Sequence, residues 1–96
     1  MNKAIPYDLH TQGSGGGFIV FEQGDAVALP LLGLQKAVLR GAGGKQMVLE
    51  FLHYSATIEG EGLAELFTQL LSGRVRAIRA GRHADCTVER VQVCEG

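Results

Sequence analysis

The stretch nearest to a catalytic motif is GAGGKQ at 41–46, in the context LRGAGGKQMVLEF. A glycine-rich loop followed by lysine is the chemistry of a phosphate cradle, in which backbone amides and an ammonium surround an anion. The Walker A pattern requires G-x-x-x-x-G-K and then Ser or Thr. With Gly44 and Lys45 as the final pair, the first glycine position is Leu39 and the hydroxyl position is Gln46. The following MVLEF alternates as a strand does, so no helix N-terminus follows to aim its amides at a phosphate. The stretch therefore reads as a hairpin loop whose glycines supply positive φ, with Lys45 a solvated cation. A second glycine run, TQGSGGG at 11–17, misses the dinucleotide fingerprint because its third glycine would fall at Phe18, and it reads as a linker or mobile loop.

Thiol and metal chemistry would draw on His10, His53, His83, Cys86 and Cys94. Zinc sites usually show a closely spaced cysteine pair or an H-x-x-x-H pair, and neither occurs. His83 and Cys86 could share an ion only with ligands gathered from distant segments, so no metal or cofactor is expected. Cys86 beside His83 and Arg82 could have a lowered pKa and act as a nucleophile. A thiol or metal enzyme around His83 and Cys86 is thus the third functional expectation, behind two non-enzymatic ones, and no catalytic residue is assigned. If CTVERVQVC is one strand, the two cysteine Cα atoms lie ~26 Å apart at about 3.3 Å per residue, too far for a disulfide. Free thiols follow, with Cys94 expected as a small core residue.

Anion or nucleic-acid contact would rest on Arg74, Arg76, Arg79 and Arg82 in RVRAIRAGR. Residues 1–73 carry four bases against seven acids, a net −3, whereas 74–96 carry five against three, a net +2. Lys36, Arg40 and Lys45 would add to this surface if their strands lie adjacent. No aromatic residues interleave with these bases for stacking, so the contact would be to phosphate without sequence reading. This is the second expectation.

The elements that must position these groups follow from periodicity. Phe18 to Phe21 reads as a strand, Gln23-Gly24-Asp25 as a turn, and 26–29 as the return strand closed by Pro30. Residues 30–40 are either a short helix or a bend plus a strand at 34–40; the second is preferred because Gly33 weakens so short a helix. Met47, Leu49 and Phe51 alternate on one face of a strand over 45–52, antiparallel to 34–40 across the glycine loop. Leu63, Leu66, Phe67, Leu70 and Leu71 form one apolar stripe of a helix at about 62–72, with Gly73 suited to its left-handed cap. Val75, Ala77 and Ile78 are extended, GRHAD is a polar loop, and TVERVQV is a strand with a bulge at Glu89-Arg90.

The class expected is α+β: an antiparallel, curled sheet of five to seven short strands with one amphipathic helix on one face. A chain of 96 residues suits a single domain, with 1–17 a flexible segment and 18–96 the folded core. One helix covers one face of such a sheet. The aliphatic cluster Leu29, Leu31, Leu32 and Leu34 is therefore expected at a contact surface, most simply between two copies of the chain. The first functional expectation is accordingly a non-enzymatic binding or assembly module acting as a homo-oligomer. The start, MNKAIPYDLH, has no apolar signal region and no apolar run is long enough to span a bilayer, so a cytoplasmic protein without membrane contact is expected.

Overall fold

The computed structural model describes residues 5–9 and 17–95. Among them are nine strands and one α-helix: Tyr7–Leu9 (β1), Phe18–Gln23 (β2), Asp25–Pro30 (β3), Leu34–Arg40 (β4), Gln46–Phe51 (β5), Tyr54–Glu61 (β6), Ala64–Leu71 (α1), Val75–Arg79 (β7), Gly81–His83 (β8) and Cys86–Glu95 (β9). A 3-10 turn, Leu31–Gly33, joins β3 to β4, so 30–40 is a bend plus a strand. The α+β class holds, with largely antiparallel pairing and a single helix.

The strands form two sheets, one ordered β1-β7-β2-β3 and the other β4-β5-β6-β9-β8. Only β2 and β7 run parallel, because the chain returns to the first sheet after building most of the second. Two features differ from the sequence reading. The described residues form nine strands instead of five to seven, and the expected curled sheet is two sheets, not strongly curled. The extra strands, YDL and GRH, are three-residue segments too short to display an alternation. GRH, expected as a loop, pairs with the start of β9 across a turn at Ala84-Asp85. Tyr7–Leu9 lies within the segment expected to be flexible and pairs with β7; the TQGSGGG stretch before Gly17, and His10, lie outside the described residues.

The apolar faces of the two sheets cover each other. Ile19 and Phe21 of β2 and Val75 and Ile78 of β7 join Met47, Leu49, Ala56, Ile58, Val88 and Val91 of the second sheet in one core. Phe21 and Phe51 meet edge to face across it, with ring centroids 6.1 Å apart and planes at 79°. The alternation of β5 is as read, since Met47, Leu49 and Phe51 are all buried. By register, the outer face of the larger sheet carries Gln46, Val48, Glu50, Thr57, Glu59, Arg90 and Gln92, with Val38 opposite Val48, so it is mainly polar. Surplus apolar strand surface is therefore met within the chain and needs no second copy to cover it.

The helix occupies the centre of its expected span. Leu63, Leu66 and Leu70 are buried, Phe67 is half-buried, and Leu71, at the final turn, is exposed instead of joining the stripe. Gly73 adopts φ 76° and closes a Schellman cap: its amide donates to the Leu70 carbonyl at 2.9 Å, and the Arg74 amide donates to Gln69 at 3.2 Å. The bulge falls where the valine pattern breaks. Glu59 pairs with Arg90 and Gly60 with Val88, which leaves Glu89 as the extra residue. At that point the Gly60 backbone approaches the Thr87 carbonyl so closely that no Cβ would fit.

Candidate functional site

The glycine loop is a helix cap. The carbonyl of Gly44 accepts from the Leu63 amide at 3.0 Å, and that of Gly43 accepts from the Ala64 amide at 3.3 Å. The Lys45 carbonyl accepts from the Gly60 amide at 3.0 Å. The loop thus presents acceptors to the positive end of α1, the reverse of the donors an anion requires. Gly44 is buried at φ 90°, and a Cβ there would stand 2.7 Å from the Ala64 nitrogen. Sequence reasoning missed this docking although a signal existed. Leu63 stands at the N-cap with no side-chain cap, where Ser, Thr, Asp or Asn would be usual. A helix start without a capping side chain has to find its acceptors elsewhere.

The four arginines do not act as one surface. Arg79 lies across β1, β7 and β2. It donates to Asp8 from Nη1 at 3.3 Å and Nη2 at 2.7 Å, and to Glu22 from Nε at 3.1 Å and Nη2 at 3.2 Å. Its Nη1 also reaches the Ile5 carbonyl at 2.8 Å. Two carboxylates hold the guanidinium firmly protonated, with the Asp8 hydrogen bond the largest influence. Conversely, the hydrogen bond from Arg79 holds the Asp8 carboxyl below its ordinary range, against the opposing effect of partial burial. Arg76 pairs with the same Asp8 at 3.3 Å from an exposed position. Arg74 and Arg82 are exposed. Arg79 therefore staples three strands, and the charge it would offer a phosphate is already matched.

Cys86 and His83 do come together, paired across the β8–β9 hairpin. With Tyr7, Gly62, Glu65, Ala84 and Asp85 they line a cleft of ≈210 Å³. The cleft does not activate the thiol. Burial, and then the negative charge of Glu65, push the Cys86 pKa up, the opposite of the lowering expected from Arg82 and His83. Tyr7 is likewise raised, by burial first and then by the neighbouring Cys86 and Glu65. Among the described residues, no three His, Cys, Asp or Glu side chains converge where a metal ion could sit. Both cysteines are free; Cys86 is buried, but Cys94, expected in the core, is exposed opposite Ser55 on the outer face.

The leucine cluster divides. Leu29 is buried, and Leu31 and Leu34 are half-buried against the core. Leu32, at the tip of the 3-10 turn, is 98% exposed. The turn is anchored by the Leu31 amide, which donates to the Gly17 carbonyl at 2.9 Å, so Leu32 projects from a fixed base. Beside it opens a cleft of ≈200 Å³ lined by Leu29, Pro30, Gly33, Phe51, Leu52, His53 and Tyr54. Leu52 at 64% and Tyr54 at 37% exposure form one wall. Phe18, paired across β2 and β3 with Pro30, is 56% exposed. Four of the exposed large apolar side chains thus gather at the end of the molecule where β3 passes to β4 and β5 to β6. Sequence reading had marked this end by Leu32 alone among its truly exposed members.

No helix among the described residues is long and apolar enough to cross a membrane. In comparisons with known proteins, no family model, no curated protein and no solved structure matches the chain.

Proposed function

We propose that the chain is a non-enzymatic binding and assembly domain that works as a homodimer through its apolar end. The observation that carries this reading is an apolar cleft with exposed Leu52 and Tyr54 in its lining, exposed Leu32 on the adjoining turn and exposed Phe18 opposite Pro30 of the lining; His53 is the one ionisable side chain besides Tyr54 that lines it. Isolated exposed leucines are ordinary on a protein surface; a contiguous apolar patch marks a contact site. With a net charge of −1, two copies meet little electrostatic repulsion. The free thiols Cys86 and Cys94 suit a cytoplasmic setting. Anion contact through Arg74, Arg76 and Arg82 is less favoured because Arg79, central to that stretch, is saturated by Asp8 and Glu22.

Light scattering across micromolar to millimolar concentrations tests the proposal. The mass is expected to rise from that of the 10.2 kDa chain toward twice that value. A constant monomer mass contradicts it.

A further inference from the structure

We propose that the free edge of β4 is a docking site for an extended acidic peptide, which adds to the larger sheet as a further strand. The proposal is independent of the homodimer reading, because it uses the edge of β4 and not the apolar end. In the order β4-β5-β6-β9-β8, β4 stands at the end of the sheet and is hydrogen-bonded to β5 alone. No other element among the described residues runs alongside it. One row of backbone amides and carbonyls along Leu34–Arg40 therefore has no strand partner. Sheets accept peptide strands along such rows.

The side chains select what can be added. By register with β5, Lys36, Val38 and Arg40 lie on the outer face, while Ala37 and Leu39 pack toward the core. Lys36 and Arg40 are exposed and Val38 is half-buried. Lys45, whose amide donates to the Arg40 carbonyl at 2.7 Å, adds a third exposed cation at the hairpin end. Among the described residues none of these three forms an ion pair, whereas Arg76, Arg79 and Arg90 all do. Glu50 stands opposite Lys36 on β5, and Glu59, farther in, is taken by Arg90 at 3.0 Å. Free cations alone would suit any anion, and a bare edge alone any strand. Together they fit a strand that carries carboxylates. Lys36 and Arg40 are separated by about 13 Å along the strand, so matching carboxylates fall at positions i and i+4 of the peptide. Between them a β-branched residue meets Val38. A second copy of β4 is a poor occupant, since it would crowd four of these cations along one seam. The other long free edge, β3, has Asp25 as its single charge and ends in Pro30.

Amide NMR titration tests this with the acetylated, amidated heptapeptide Thr-Glu-Thr-Val-Thr-Glu-Thr, whose palindromic order serves either strand direction. Amides of 34–40 should shift on addition, and the peptide with Gln in place of both Glu should bind about tenfold more weakly. Lys36→Glu with Arg40→Glu should weaken binding by about the same factor and restore it for the peptide with Lys in place of Glu. Lys36→Gln with Arg40→Gln is the milder pair, in case the reversal lowers the melting temperature. Two N-methylated peptides separate strand addition from simple charge attraction, one methylated at its Thr residues and the other at Glu and Val. Successive amides of a strand point to opposite sides, so only one of the two should bind. Equal affinity of the two methylated peptides overturns the proposal, as does binding that is unchanged in both charge variants. Absence of shifts at 34–40 up to about 2 mM peptide overturns it too. So do shifts there caused by a thymidine oligonucleotide and not by the peptide.

Discussion

The turn at 41–45 and the Leu31–Gly33 turn both border β4, and they dispose of their groups in opposite ways. The glycine turn looks like a ligand loop, yet its carbonyls are occupied by the Leu63, Ala64 and Gly60 amides. The leucine turn looks like core, yet it leaves Leu32 almost wholly in water beside an apolar cleft. Polar backbone that could have met a ligand is used to hold a helix. Apolar side chain that could have filled the core is left outside it. The contact between copies proposed above accordingly lies at the aliphatic end of the molecule instead of at the loop that resembles a motif.

Substitution should separate the two turns sharply. Gly44→Ala forces a side chain into a left-handed conformation against the start of α1, and is expected to cost ~3 kcal/mol in urea denaturation. Leu32→Ala should change monomer stability by no more than about 0.5 kcal/mol, because an exposed side chain leaves no cavity. Equal costs at both sites would erase the contrast. Within the glycine turn itself, Gly43→Ala meets no atom within 4 Å but keeps φ at 74°, so its cost should be only about 1 kcal/mol. A Gly43→Ala loss as large as that of Gly44→Ala would mean that conformation alone, and not helix docking, dominates this turn.

The third prediction concerns the arginine staple. The folded-state pKa of Asp8 is depressed by Arg79, so its contribution is present above the ordinary carboxylate value and is lost as pH falls through the depressed one. Stability should therefore decline below about pH 4, and Asp8→Asn should flatten that decline while lowering neutral-pH stability by on the order of 1 kcal/mol. An unchanged acid slope in Asp8→Asn would remove the staple from the account. The smallest effect is chemical. Cys94 is exposed, whereas Cys86 is buried with a raised pKa, so a thiol reagent near neutral pH should modify Cys94 first and Cys86 only slowly. Faster reaction at Cys86 would reopen the cleft beside His83 as a chemical site.

Much of the fold is legible in local pattern. The alternation of Met47, Leu49 and Phe51, the stripe from Leu63 to Leu70 and the cap at Gly73 each arise from neighbours within a few positions. What local pattern could not carry depends on distant partners. Arg79 finds Asp8 from 71 positions away, and α1 takes its cap from a loop about twenty residues earlier. The short strands YDL and GRH exist because other strands offer them an edge, which no three-residue window reveals. Cys94 is a different case. Once Glu89 is taken as the bulged residue, Val91 and Val93 face inward and Cys94 must face outward, so its exposure is readable from the break in the valine pattern. Among the candidate site residues, composition marked Leu29, Leu31, Leu32 and Leu34 as a group. Only the direction of a single 3-10 turn separates the exposed leucine from the others.

The proposed contact between copies lies at the apolar end, and amide NMR spectra recorded through a dilution series test it residue by residue. Amide signals of Phe18, Leu32, Gly33, Leu52, His53 and Tyr54 should move together as the dimer dissociates, with those of 41–45 and Arg74 to Arg82 unmoved. Spectra that do not change with concentration, or changes centred on the arginine stretch, would contradict it.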